Sequence, residues 1–148
     1  MALKLQTYVL DSALATIQSK AKTVRDTAAT IKAQIDAGPI ASDIIINLMR
    51  HMRTAHDVMS AAKVMPGLNT YAQNEFNDPL LNYVAEINAA LLAMVNTYNW
   101  VNTNFPKDVN GYLLKDKIVD GMIENRVFTQ AQTAGLSTAL ATLIAAFG

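Results

Sequence analysis

Residues 10–39, LDSALATIQSKAKTVRDTAATIKAQIDAGP, decide the fold. Within them Leu10, Leu14, Ile17, Ala21, Val24, Ala28, Ile31 and Ile35 recur with alternating steps of four and three. That spacing draws one apolar seam along a helix, the pattern by which neighbouring helices interlock side by side. Ala21 and Ala28 are small, so a partner helix approaches closely there. Gly38-Pro39 stops the helix, because glycine suits a left-handed cap and proline cannot continue the hydrogen-bond ladder. A helix over 8–37 would be roughly 45 Å long at ~1.5 Å per residue.

The same spacing returns twice. Ser42 as N-cap and Asp43 in the positive first turn open a second helix. Its seam is Ile45, Leu48, Met52, Ala55, Met59 and Ala62, and Pro66-Gly67 ends it. The link is short enough to make these two helices antiparallel neighbours, a long helical hairpin over 8–65. Residues 67–78 are less regular, with Tyr71, Ala72 and Phe76 fitting one short helical turn. Asp78-Pro79, an N-cap followed by proline at the first helical position, predicts a helix over 79–103. Leu80, Val84, Ile87, Leu91, Met94, Tyr98 and Val101 form its seam. Its one charge is Glu86, and its polar face is Asn82, Asn88, Asn96, Asn99 and Asn102. A helix facing water ordinarily carries several Lys and Glu, so most of this one is expected to be covered.

Beyond Asn104-Phe105-Pro106 the reading changes. Two short runs, 112–119 and 122–128, flank Asp120-Gly121, a two-residue hairpin signal. They predict a small β-hairpin at about 112–128, with an irregular hydrophobic arm as the other reading. Thr129 caps a last helix over 130–147, and Gln132 three residues on completes a polar capping box. Leu136, Leu140, Leu143 and Phe147 are its apolar stripe. The fold class is therefore mainly α: a single domain over 1–148, with a bundle of three long antiparallel helices, a C-terminal helix and the hairpin.

Composition agrees and excludes several classes. The chain has 148 residues, 51% apolar and only 16% charged, with zero formal net charge and no cysteine. One domain of this length buries a core without staples. Disulfide scaffolds, thiolate zinc sites, cysteine nucleophiles and disorder are all disfavoured. A surplus of Lys and Arg for nucleic acid is missing. No stretch approaches the 18 or so apolar residues of a membrane span; the longest is Ala89 to Val95. Residues 1–10 show no secretory h-region, so a soluble chain made in a cytoplasm is expected.

Catalytic chemistry is hard to find. A di-iron carboxylate bundle needs about four glutamates and two Glu-x-x-His pairs, whereas this chain has Glu75, Glu86 and Glu124 and no such pair. His51 and His56 lie five apart, roughly 140° around a helix, so they do not readily share one ion. Met49, Met52, Met59 and Met65 invite a copper site, but Met52 and Met59 fall on the seam, where methionine is common core filler. Ser12, Ser19, Ser42, Ser60 and Ser137 sit in no nucleophile elbow. Lys20, Lys22, Arg25 and Lys32 are diluted by Asp26 and Asp36 and read as a solvated face rather than a nucleic-acid strip. The expectation is no enzyme, no cofactor and no metal.

Charge is unevenly spread. Up to Met65 there are eight Lys or Arg against five Asp or Glu; from Pro66 onward there are four against seven. The opposite halves could register one subunit on the next, or neutralise each other within one chain. From Phe128 to Gly148 no side chain is charged. Uncharged, small side chains cost little to desolvate and suit a protein contact. Expected assembly contacts are Tyr112, Leu113, Ile118, Val119, Met122, Ile123 and Phe128 of the hairpin. Thr133, Ser137, Thr138, Ala141 and Thr142 of the last helix join them. The bland reading is that the hairpin residues cap the bundle's own core.

Three phrases near the C-terminus carry a resemblance: residues 104–114, NFPKDVNGYLL; residues 119–121, VDG; and residues 128–136, FTQAQTAGL. Residues 100–148 resemble small structural proteins of tailed bacteriophages, encoded near capsid and tail genes. The resemblance implies a virion component, made in the host cytoplasm, at the head–tail connector, in the tail or on the capsid. Its partners would be copies of itself and other virion proteins. It brings no family site residues. The competing reading, from the residues alone, is a cytoplasmic helical binding module holding an apolar ligand or a partner helix. Met49, Met52, Met59 and Met94 would then line an adaptable groove.

Overall fold

The structure is a computed structural model that describes residues 2–6, 11–105, 117–119, 122–124 and 127–148, with backbone alone for 117–119, 122–124 and 127. It is mainly helical. In chain order the described elements are α1 (Ser12–Ala37), β1 (Ile40–Ala41), α2 (Ser42–Ala62), α3 (Leu68–Glu75), α4 (Tyr83–Asn104), β2 (Lys117–Val119), β3 (Met122–Glu124), β4 (Val127–Phe128) and α5 (Gln130–Ala145).

Helix α1 buries Leu14, Ile17, Ala21, Val24, Ala28, Ile31 and Ile35, the seam read from its spacing, and adds Gln18. Its start is set by Asp11, whose carboxylate accepts from the amides of Ala13 and Leu14 and satisfies two otherwise unpaired donors. The helix begins at Ser12 rather than 8; residues 7–10, Leu10 among them, lie outside the described set. Gly38 ends it without a left-handed cap. Its backbone is extended (φ 162°), and its N–H returns to the carbonyls of Gln34 and Ile35.

Extended geometry at 38–41 has a purpose that local sequence did not reveal. Ile40 and Ala41 form β1, which pairs antiparallel with β4 in the register Ile40 to Phe128 and Ala41 to Val127. Ala41, not Ser42, is therefore the residue before α2, and Ser42 is its buried first residue. The seam Ile45, Leu48, Met52, Ala55 and Met59 is buried as its spacing predicts. The helix stops at Ala62, before Pro66, and Gly67 in left-handed geometry (φ 77°) opens α3.

The Asp78-Pro79 start signal fails by four residues. Asp78 instead closes a tight turn, its carboxylate accepting from Leu80 N–H, and Leu80 is 93% exposed. Helix α4 starts at Tyr83, capped by Asn82, which accepts from Ala85 N–H. Asn69 of α3 donates to Asn82 and accepts from Val84 N–H. A side chain from a preceding helix thus supplies an acceptor for the first turn. Helix α5 carries the anticipated capping box, Thr129 with Gln132, and buries Leu136, Leu140 and Leu143 together with Thr133.

Helix α1 packs against α2 and α5, while α4 packs against α5, α2 and α3. Side-chain bonds give two of the directions. Asp36 near the end of α1 meets Gln130 and Ser137 of α5, while Arg25 reaches Gly148, so α1 and α5 run antiparallel. Lys63 just beyond α2 meets Asn88 early in α4, and residues 46–57 face 94–98, so α2 and α4 are antiparallel too. Strands β2 and β3 pair antiparallel, Ile118 opposite Ile123 and Val119 opposite Met122. The rest of the predicted hairpin, 112–116, 120–121 and 125–126, lies outside the described residues.

One polar cluster fastens the chain start to the bundle. Gln18, buried in α1, donates to Tyr83 OH and to the Lys4 carbonyl and accepts from Gln6 N–H, each at 2.7 Å. Lys4 N–H donates to Glu86 at 2.7 Å. Every polar atom of the Gln18 amide is placed, which offsets its desolvation. Burial pushes the Tyr83 phenol up to about 12, so it stays protonated.

Burial also raises the Glu86 carboxyl above its ordinary value, against the Lys4 amide, which lowers it. Lys4, Asp78 and the N-terminal amine are the other charges acting on it. A raised carboxyl makes the folded state hold a proton that the unfolded chain has already lost. Stability therefore falls as pH rises through the window above the ordinary value of 4.5. Glu86→Gln is expected to flatten that slope and to match or exceed wild-type stability at neutral pH in urea melts between pH 4 and 8. A steeper slope in the variant would contradict it.

Candidate functional site

Two surfaces combine sequence signal with geometry. The first is the outer side of α4 and α5. Across α4 the exposed positions include Asn88, Leu92, Val95, Asn96, Asn99 and Thr103, with Leu92 60% exposed. The one acid of this helix, Glu86, is buried. Most of α4 is buried or half-buried, as its lack of charge led one to expect, and the side that stays open carries no ion. Across α5 the exposed positions include Ala131, Ala134, Thr138, Ala141, Thr142 and Ala145. The two helices are neighbours, and their own exposed side chains include no Asp, Glu, Lys or Arg. The nearest charges are at the borders, Asp36 of α1 beside Ala131, Ala134 and Thr138, and Arg50 and Arg53 of α2 beside Val95.

The expected contact residues fall into three groups. Thr138, Ala141 and Thr142 are exposed on this surface. Phe128 and Thr133 are not available to a partner, which corrects their assignment. Phe128 is 3% exposed, its ring 4.8 Å from that of Phe105, which in turn packs edge-on against Trp100. Thr133 is fully buried and its hydroxyl donates to the carbonyls of Thr129 and Gln130. Ser137 is half-buried and donates to Asp36 at 2.7 Å, a bond that serves the α1–α5 junction. With Lys32 also bonded to it, the Asp36 carboxyl lies below its ordinary value. Tyr112 and Leu113 lie outside the described residues. Ile118, Val119, Met122 and Ile123 sit on β2 and β3, where the backbone alone is described.

The second surface is an open groove of about 660 Å³ between α2 and α4. Ile46, Met49, Met52, Met94, Val95 and Tyr98 give it an apolar lining. Arg50, Arg53, His56 and Asp57 supply its polar groups. Three of the four methionines proposed for an adaptable groove meet there, Met49 half-buried at its side and Met52 and Met94 as buried core side chains beneath it, whereas Met59 does not line it. His51 is half-buried on the same helix and His56 is bonded to Ser60.

The basic residues of α1 do not form a strip. Lys22 donates to the Gln6 carbonyl, Arg25 pairs with Asp26, and Lys32 pairs with Asp36. Among the described residues no three His, Cys, Asp or Glu side chains cluster, and no helix is long and apolar enough to cross a membrane. Comparison with known proteins adds no assignment: no family model matches the chain, and no curated protein or solved structure matches it significantly.

Proposed function

We propose that this chain is a non-enzymatic structural protein that assembles into an oligomeric part of a tailed-phage virion, at the head–tail junction, in the tail or on the capsid. The observation that carries assembly is the uncharged α4–α5 surface. Soluble surfaces ordinarily devote about a quarter to a third of their residues to Lys, Arg, Glu and Asp. Here two adjacent helices of 22 and 16 residues expose none of them. Charge depletion of this kind marks the centre of protein interfaces, where desolvating ions is costly. The virion setting rests on the likeness of residues 100–148 to phage structural proteins. In this reading the four long helices act as one bundle, and the β2–β3 arm adds contacts to those of Thr138, Ala141 and Thr142.

The double variant Thr138→Lys, Thr142→Lys tests it. Both side chains are exposed, so the helix survives while two ammonium groups are forced into the contact. Sedimentation velocity at high micromolar concentration is expected to show an oligomer for wild type and a shift toward monomer for the variant, with unchanged circular dichroism. A monomeric wild type would overturn the reading.

A further inference from the structure

We infer that the groove between α2 and α4 binds a long-chain carboxylate, an amphiphile with one anionic head and a flexible apolar tail. The inference does not depend on assembly, and its surface meets that one at Val95. Its volume, about 660 Å³, falls within the ~300–1,000 Å³ of small-molecule sites. Met49 lines its side and Met52 and Met94, buried in the core, form its floor; their unbranched, polarisable side chains conform to a tail of no fixed shape.

The polar groups specify the head. Arg50 and Arg53 are exposed one turn apart on α2, so both guanidinium groups stand over the same wall. The ion pairs among the described residues are Lys4–Asp78, Arg25–Asp26 and Lys32–Asp36. Neither groove arginine is engaged in them. Two planar donors of this kind match a carboxylate, which accepts through both oxygens. Asp57 stands one turn beyond Arg53, so a negative head seats toward the Arg50 end, away from it.

Shape separates a tail from a helix. Residues 46–57 of α2 run for about 16 Å along one wall, but α4 contributes only 94–98 to the other. A partner helix, ~10–12 Å across with its side chains, needs two walls of several turns. An extended chain needs one long wall and a floor.

Sodium dodecanoate, below its micelle concentration, is the probe, titrated into the full chain by calorimetry with the methionine methyl groups followed by NMR. Saturable binding is expected, moving the Met49, Met52 and Met94 methyls and leaving Met59 in place. Acetate, a head without a tail, should not bind. Dodecyltrimethylammonium should bind roughly ten-fold more weakly or worse, as should dodecanoate to the Arg50→Gln, Arg53→Gln double variant. Both arginines are exposed, so this variant keeps the fold, which circular dichroism checks. The inference is overturned by unsaturable binding, by equal affinity for the cationic amphiphile, by an unaffected double variant, or by methyl shifts elsewhere. Selective capture of an acidic amphipathic peptide with no dodecanoate binding would also overturn it.

Discussion

Leu3→Ala is expected to lower the unfolding free energy by about 3 kcal/mol, the usual cost of truncating a fully buried leucine. Leu3 is 0% exposed, as buried as any seam residue of α1. Its backbone bridges the far end of the chain, its N–H donating to Ala146 O and its carbonyl accepting from Gly148 N–H. The next residues continue the attachment, Lys4 N–H to Glu86 of α4 and Gln6 N–H to Gln18 of α1. One apolar anchor therefore holds a five-residue strap that joins α1, α4 and the segment after α5. Losing the anchor also frees polar groups that were satisfied only while the strap was docked, so the cavity is not the whole cost. Chemical denaturation measures the total. Hydrogen exchange separates the parts, because the Lys4, Gln6 and Gly148 amides should lose protection while those in the middle of α2 keep it. A loss below about 1 kcal/mol with the strap still protected would show that Leu3 is not an anchor.

The strap also shows where sequence reading stopped. The seams of α1 and α2 were legible because each core position follows from its neighbours three and four residues away. Leu3 and Leu5 alternate with Lys4 and Gln6, a period of two that signals an extended segment with one face inward. Five residues are too few for that signal to stand out. Gln18 was invisible in a stronger sense. Nothing local makes a glutamine a core residue; its burial depends on Tyr83, 65 positions away, and on the strap. The start of α4 misled for a related reason. Asp78-Pro79 is a sound local signal, but Asn69 offers an acceptor to Val84 N–H, and distant chemistry moved the helix start.

The candidate surfaces divide along the same line. Absence of charge from Phe128 to Gly148 is a property of the string, and so the open face of α5 was legible. Which residues of that string turn inward was only half legible. Thr133 lies three positions before Leu136 and seven before Leu140, on the buried stripe, yet its hydroxyl suggested a surface residue. Its burial is tolerated because that hydroxyl bonds back to the helix. Phe128 pairs with Phe105 across the chain. The groove needed tertiary structure altogether, since Met94 meets Met49 and Met52 only once α4 has folded back along α2.

Gly135→Ala is expected to destabilise the protein by about 1–3 kcal/mol, although the usual sign for this change is the opposite. Gly135 sits inside α5, and alanine in a helix interior is favoured over glycine by about 1 kcal/mol. Backbone conformation raises no objection, since its φ is not positive. The obstacle is Trp100 of α4. A β-carbon at Gly135 would stand 2.5 Å from Trp100 Cζ2 and 3.2 Å from Cη2. The indole cannot yield cheaply on the side of Phe105, whose ring lies 5.7 Å from it and is itself backed by Phe128. Either α5 moves away from α4 or Trp100 swings into water and gives up its packing. The glycine is thus what lets the two helices lie close enough for their uncharged exposed sides to adjoin. A double-mutant cycle gives the decisive measurement. In a Trp100→Ala background the same Gly135→Ala change should recover its ordinary sign and add about 1 kcal/mol. If Gly135→Ala stabilises the wild-type chain as well, the contact between α4 and α5 is looser than the geometry describes, and the continuous face that supports assembly does not exist in that form.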